Sequence, residues 1–149
     1  MYKHILVPTD GSKLSDKCVR QAIKMARALR AKITAVHVVS NYQPVLDQDE
    51  GFMPVIPALM KDYDDRTAAY ARRLLRPVKA AAGKAGVECD TVVSTGDLPY
   101  EMIIKQARKS RCDVVMMASH GRSGIKALLL GSETAKVLAH SKIPVLVVR

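Results

Sequence analysis

His4-Ile5-Leu6-Val7-Pro8-Thr9-Asp10-Gly11-Ser12 sets the pattern for the chain. A short apolar run stops at a cluster of turn-forming residues, which reads as a buried strand leaving a sheet. Ser12 then stands where a helix needs its N-cap. Leu14, Cys18, Ala22, Met25, Ala26 and Leu29 follow at the three- and four-residue spacing of one helical face. Ile33 to Val39 is rich in β-branched residues and gives a second strand. Strand, helix and strand in this order make one crossover unit of a parallel sheet.

The alternation continues. Residues 40–57 have no period and hold Pro44, Pro54, Pro57, Gly51 and the acids Asp47, Asp49 and Glu50. A loop this long in a small domain is usually functional, and a lid over a ligand site is one use for it. Ala58 to about Gly86 is helical, with Leu59, Tyr63, Tyr70, Leu74, Leu75 and Val78 expected inward. Pro77 predicts a kink or break near Arg76. Val87 to Ser94 is a third strand, and Leu98 to Ser110 a helix with Pro99 in its first turn. Asp113 to Ala118 is a fourth strand, followed by a turn and a short helical stretch over 119–131. Ser132 is expected to cap a helix reaching about Ala139, and Val145 to Val148 closes the pattern. Residues 1–149 therefore form one domain. Its class is α/β, an open doubly wound five-stranded parallel sheet with helices on both faces.

Composition narrows the function classes. With one Phe, five Tyr and no Trp, the core must be built from aliphatic side chains and Met. The formal net charge of +10 favours anionic partners without choosing among them. No run of 18 apolar residues occurs, so no membrane span is expected, and the first residues do not resemble a secretory signal. Cys18, Cys89 and Cys112 are odd in number and lack a Cys-x-x-Cys pair, which points to reduced, packed thiols in the cytoplasm.

In such a sheet ligands bind beyond the carboxyl ends of the strands. The strongest local signal there is Gly121-Arg122-Ser123-Gly124 followed by Gly131-Ser132-Glu133-Thr134. Glycines allow close backbone approach, and bare amides in such a turn form an anion-binding concavity. The helix starting near Ser132 adds free N–H donors, and the hydroxyls of Ser123, Ser132 and Thr134 can donate to phosphate oxygens. Arg122 would add charge if it faced the ligand. The same glycines also suit ordinary turns, and Ser132 an ordinary cap.

At these residues the chain resembles the universal stress protein family, along its whole length from Ile5 to Val148. The family's ATP-binding members carry Gly, two residues, Gly, nine residues, then Gly and Ser or Thr. Gly121, Gly131 and Ser132 match that spacing, while Ala118 stands in place of the first glycine. The opening Ile5 to Ser12 and the ending Pro144 to Val148 also match. The resemblance implies strand order 3-2-1-4-5, as in the adenine-nucleotide α-hydrolase-like folds. It implies ATP, or AMP or ADP, as ligand, with or without Mg²⁺. Pro8, Thr9 and Asp10 would line the adenine and ribose end, with Asp10 accepting a ribose hydroxyl. Val39 would touch the adenine and Met117 the nucleoside. Gly121, Arg122, Gly131, Ser132 and Thr134 would surround the phosphates, with Ala118 beside them. A homodimer through strand 145–148 is also implied.

Other chemistry is poorly supported. Asp10 also suits an Asx-turn before the first helix. His120 lacks a partner carboxylate, and His4, His37 and His140 lie at no metal-ligand spacing. The P-loop, Gly-x-Gly-x-x-Gly and Gly-x-Ser-x-Gly signatures are absent. Arg66, Arg72, Arg73, Arg76, Lys79 and Lys84 read as a solvated helix face, since no aromatic platform for nucleic acid accompanies them. The expected function is a stress-response regulatory module that binds adenine nucleotide. The alternative is a dimeric interaction protein without nucleotide. No general base is visible, so any ATPase or phosphotransferase activity would be slow.

Overall fold

Ile5, Leu6 and Val7 are almost completely buried, as a central parallel strand requires. The structure, a computed structural model, describes residues 1–41, 57–122 and 130–149. Almost all of the 40–57 loop lies outside these residues, as do Ser123, Gly124 and the short helical stretch expected before residue 130.

The elements are β1 (His4–Pro8), α1 (Lys13–Leu29), β2 (Lys32–Val39), α2 (Pro57–Lys84), β3 (Cys89–Thr95), α3 (Pro99–Lys109), β4 (Val114–Ala118), α4 (Ser132–His140) and β5 (Val145–Val148). All strand pairs are parallel, in the order β3-β2-β1-β4-β5. Successive side chains of a strand point to opposite faces, and the core divides accordingly. Ile5, Val7, Ile33, Ala35, Val114 and Met116 join α1 and α2 on one face. Leu6, Val36, Val115 and Met117 join Ile103, Ala107 and Val137 of α3 and α4 on the other.

Helix α1 begins as its sequence suggests, with the Ser12 hydroxyl accepting from the Ser15 amide at 3.2 Å. Helices α1, α2 and α3 all end in the same left-handed turn. Arg30 (φ 54°), Gly86 (φ 71°) and Arg111 (φ 54°) occupy it. The amides of Ala31, Val87 and Cys112 then donate to the carbonyls of Ala26, Ala82 and Ala107 at 2.8, 2.9 and 2.8 Å. This closure satisfies carbonyls that a helix end would leave bare. It also explains why β3 starts at Cys89 rather than Val87.

Three further expectations change. Helix α2 runs through Pro77 without a break. Buried Ala71, Leu75, Val78 and Ala82 hold the helix on both sides of the exposed proline. Leu59 is not inward but 48% exposed, because only the second half of α2 lies on the sheet. Ser132 is the first residue of α4, and Gly131 is its N-cap.

A Cβ at Gly86 would meet no atom within 4 Å, so its only penalty is conformational. Gly86→Ala should therefore cost about 1 kcal/mol in urea unfolding, from the left-handed backbone alone.

Candidate functional site

The strand order reverses between β1 and β4, and connections leave these two strands on opposite sides of the sheet. A cavity of about 530 Å³ opens at their carboxyl ends. Its apolar wall comes from Pro8, Val36, Val38, Ile103 and Met117. Thr9, Asp10, His37 and His120 supply polar groups, and the chain from Leu130 to Thr134 closes one side.

The β1 end is tightly held. The Thr9 amide donates to the Val36 carbonyl at 2.9 Å. The His37 ring places Nδ1 2.8 Å from the Thr9 carbonyl, so that nitrogen carries the proton. Asp10 Oδ1 accepts from the Ser12 amide at 2.9 Å, which is the expected Asx-turn. Oδ2 accepts from the Arg122 amide, also at 2.9 Å, across 112 residues of sequence. Burial opposes the Asp10 charge, but the Ser12 amide and hydroxyl, the Arg122 amide and the Ser15 hydroxyl outweigh it. The carboxyl is thereby held below its ordinary value of 3.8. The two amides take one position on each carboxylate oxygen, and a ligand hydroxyl would compete with the Ser12 and Ser15 hydroxyls for the others.

A side chain would be crowded at both motif glycines, most at Gly121. A Cβ at Gly121 would lie 2.5 Å from Asp10 Oδ2. At Gly131 it would lie 3.0 Å from His120 Cα and 3.1 Å from the Ser119 carbonyl. Several donors expected to be bare are engaged. The Gly131 amide donates to the Ser119 carbonyl at 2.7 Å, and the Arg122 amide is held by Asp10. The buried Thr134 hydroxyl donates to the Ala118 carbonyl at 2.8 Å and ties α4 to β4. What remains is the start of α4, which no side chain caps. Its first intrahelical bond runs from the Ala135 amide to the Gly131 carbonyl, so the amides of Ser132, Glu133 and Thr134 precede the ladder. The Ser132 hydroxyl stands beside them on an exposed residue.

Ala118 is 8% exposed; it belongs to the core cluster beneath α1 and also lines the cavity. Arg122 lines the cavity, and its guanidinium lies 5.6 Å from the Tyr70 ring centroid. Val39 is not in the cavity lining. Val38 is, together with Val36 on the same face of β2. The period-two pattern of β2 could have selected Val38. Nothing local marks Ile103 or Pro99, which reach the cavity from α3. Glu133 was also missed as a tie: its Oε2 accepts from the Tyr100 amide at 2.9 Å and its Oε1 from Lys136 at 3.1 Å. Among the described residues no cluster of three His, Cys, Asp or Glu is placed to hold a metal. No described helix is long and apolar enough to cross a membrane.

The model of the universal stress protein family matches residues 1–149. A universal stress protein of Methanocaldococcus jannaschii is 32% identical over 149 residues, covering 100% of this chain and 83% of that protein. The solved structure of universal stress protein UspA from Lactobacillus plantarum superposes with a TM-score of 0.84, covering 99% of this chain and 98% of that one. At 24% identity it shows the shared fold. A universal stress protein solved in complex with cAMP is 27% identical, with a TM-score of 0.71, covering 99% and 97% of the two chains.

Asp10→Ala removes the acceptor of two backbone amides and should cost about 1–3 kcal/mol. Because the folded pKa is lowered, the Asp10 contribution is complete above the unfolded value near 4 and fades as pH falls through the folded one. Stability measured from neutral pH down to acid should therefore fall less in Asp10→Ala than in the parent chain.

Proposed function

The chain belongs to the universal stress protein family, and from that premise we propose that the cavity between β1 and β4 binds an adenine nucleotide. One observation carries the proposal: an apolar slot leads directly onto an uncapped helix N-terminus. The slot, between Val36, Val38, Ile103 and Met117, suits a flat base. Asp10 suits a ribose hydroxyl, and the three leading amides of α4 with the Ser132 hydroxyl suit a phosphate. The cAMP complex of a relative agrees with this assignment. The donors described match one phosphate group. ATP or ADP would draw on further donors, and Mg²⁺ would be held chiefly by the phosphates and water.

Nucleotide occupancy then acts as a regulatory state of a cytoplasmic stress-response module, with binding rather than turnover as its chemistry. A second reading, a dimeric interaction protein without nucleotide, draws support from the engaged Gly131 and Arg122 amides and Thr134 hydroxyl. Both readings include a homodimer through β5. This strand lies at the sheet edge, with Leu146 37% and neighbouring Leu138 of α4 42% exposed.

Calorimetric titration with AMP, cAMP and ATP–Mg²⁺ tests the assignment. Saturable binding is expected, weakened at least about tenfold by Gly131→Leu, whose side chain would press on His120 and Ser119. Flat heats with every nucleotide at millimolar concentration would leave the second reading. Removing Val145 to Arg149 should give monomer or aggregate in sedimentation, and a well-folded truncated dimer would refute the β5 interface.

A further inference from the structure

A second cavity, of about 720 Å³, lies at the opposite end of the sheet, where the strands begin. Lys3, Arg27, Arg30, Lys32 and Arg111 line it. None of these five cations forms an ion pair, since the salt bridges among the described residues are Arg66–Asp62 and Lys136–Glu133. Two acids share the lining, Glu88 and Asp113. Asp113 is already engaged, accepting from the Lys3 amide at 2.7 Å and the His4 amide at 3.1 Å. No Phe, Tyr or Trp is among the lining residues, so nothing there offers a stacking platform for a base.

The backbone supplies an independent observation. The three left-handed turns that end α1, α2 and α3 all border this cavity, through Arg30, Gly86 and Arg111. The hydrogen-bond closure is the same in each. Glycine is the unstrained choice for that conformation, and α2 uses it. The other two turns carry arginine instead, and both arginines project from strained backbone at the rim of one cavity. Arginine at a helix C-terminus also offsets the helix dipole. That local benefit would not require the two arginines to share a cavity with Lys3 and Lys32, which belong to no helix. His4, also in the lining, is buried against Thr34 at 2.8 Å. Its pKa is pushed below the usual histidine range by burial first and by the Lys32 charge second, as expected in a positive field.

We propose that this cavity is a second binding site, for the phosphate chain of a polyphosphate, held by Lys3, Arg27, Arg30, Lys32 and Arg111. Guanidinium forks suit phosphate oxygens bidentately, and the cluster offers more positive charge than a single phosphate needs. Recognition is by charge spacing, so the chain can belong to free polyphosphate or to a nucleoside triphosphate. The site is independent of the nucleotide cavity at the other end of the strands.

The probe is inorganic tripolyphosphate, titrated into the full chain at low and at physiological ionic strength. It is followed by calorimetry and by amide chemical shifts. Saturable binding is expected, with shifts centred on residues 30, 86 and 111. Parallel titrations with ATP and AMP show whether a phosphate chain is required, since ATP should perturb the same amides and AMP should not, and the relative affinities of tripolyphosphate and ATP separate the two sources. Arg30→Gly with Arg111→Gly suits the left-handed turns and should leave the melting temperature equal or higher, while weakening tripolyphosphate binding at least about tenfold. Arg30→Asn with Arg111→Asn, a second uncharged pair that tolerates this backbone, should do the same. Unchanged affinity in these variants would overturn the proposal and assign the arginines to the helix ends. Shifts confined to Gly121 and Gly131, or no saturable binding, would overturn it equally.

Discussion

The seam between β1 and β4 is the constraint on which the architecture turns. Here the winding of the chain reverses, and the paired register is short, with Ile5 opposite Val114 and Leu6 opposite Val115. A carboxylate clips each end. Asp113, just before β4, accepts the amides of Lys3 and His4 as β1 begins. Asp10, just after β1, accepts the Arg122 amide beyond β4. Charged acceptors make stronger bonds to amides than neutral ones. The two clips therefore align a pair of central strands that are separated by about a hundred residues of sequence and joined by no direct loop. The buried aliphatic layers on either face then act on a pair already in register.

The same clips shape the site. Holding Arg122 by its amide brings the Gly121 turn against Asp10 so closely that a methyl group has no room. Engagement of the Gly131 amide and the Thr134 hydroxyl by Ser119 and Ala118 fixes the start of α4 beside the apolar slot. Groups read from the sequence as direct phosphate donors thus act mainly as positioning groups. They leave the leading amides of α4 ahead of the helix ladder.

Much of the fold was legible because its signals are local. Apolar runs stopped by turn residues gave all five strands, and the cap at Ser12 gave the start of α1. Errors arose where local signals met tertiary ones. Pro77 carries a breaking signal that the buried face of α2 overrides, and Leu59 fits a helical period that continues past the edge of the sheet. The site was legible in its glycines and in Asp10, whose spacing encodes close approach. It was not legible in Ile103 and Glu133, which meet the site only through packing between distant elements, whereas Val38 follows from the alternation of β2. The arginines at 30 and 111 were invisible for a similar reason. Their left-handed backbone belongs to how the helices end, and nothing in a charge count reveals it.

Helix α3 opens on Leu98, which has no side-chain acceptor to offer, and borrows one from Glu133 in the first turn of α4. The duty of starting one helix has been lodged in another. Positions 98 and 133 are therefore coupled through one hydrogen bond: a descendant with Asp or Ser at 98 could dispense with the acid at 133. A descendant that lost the acid first would carry a weakened α3 until that local cap appeared.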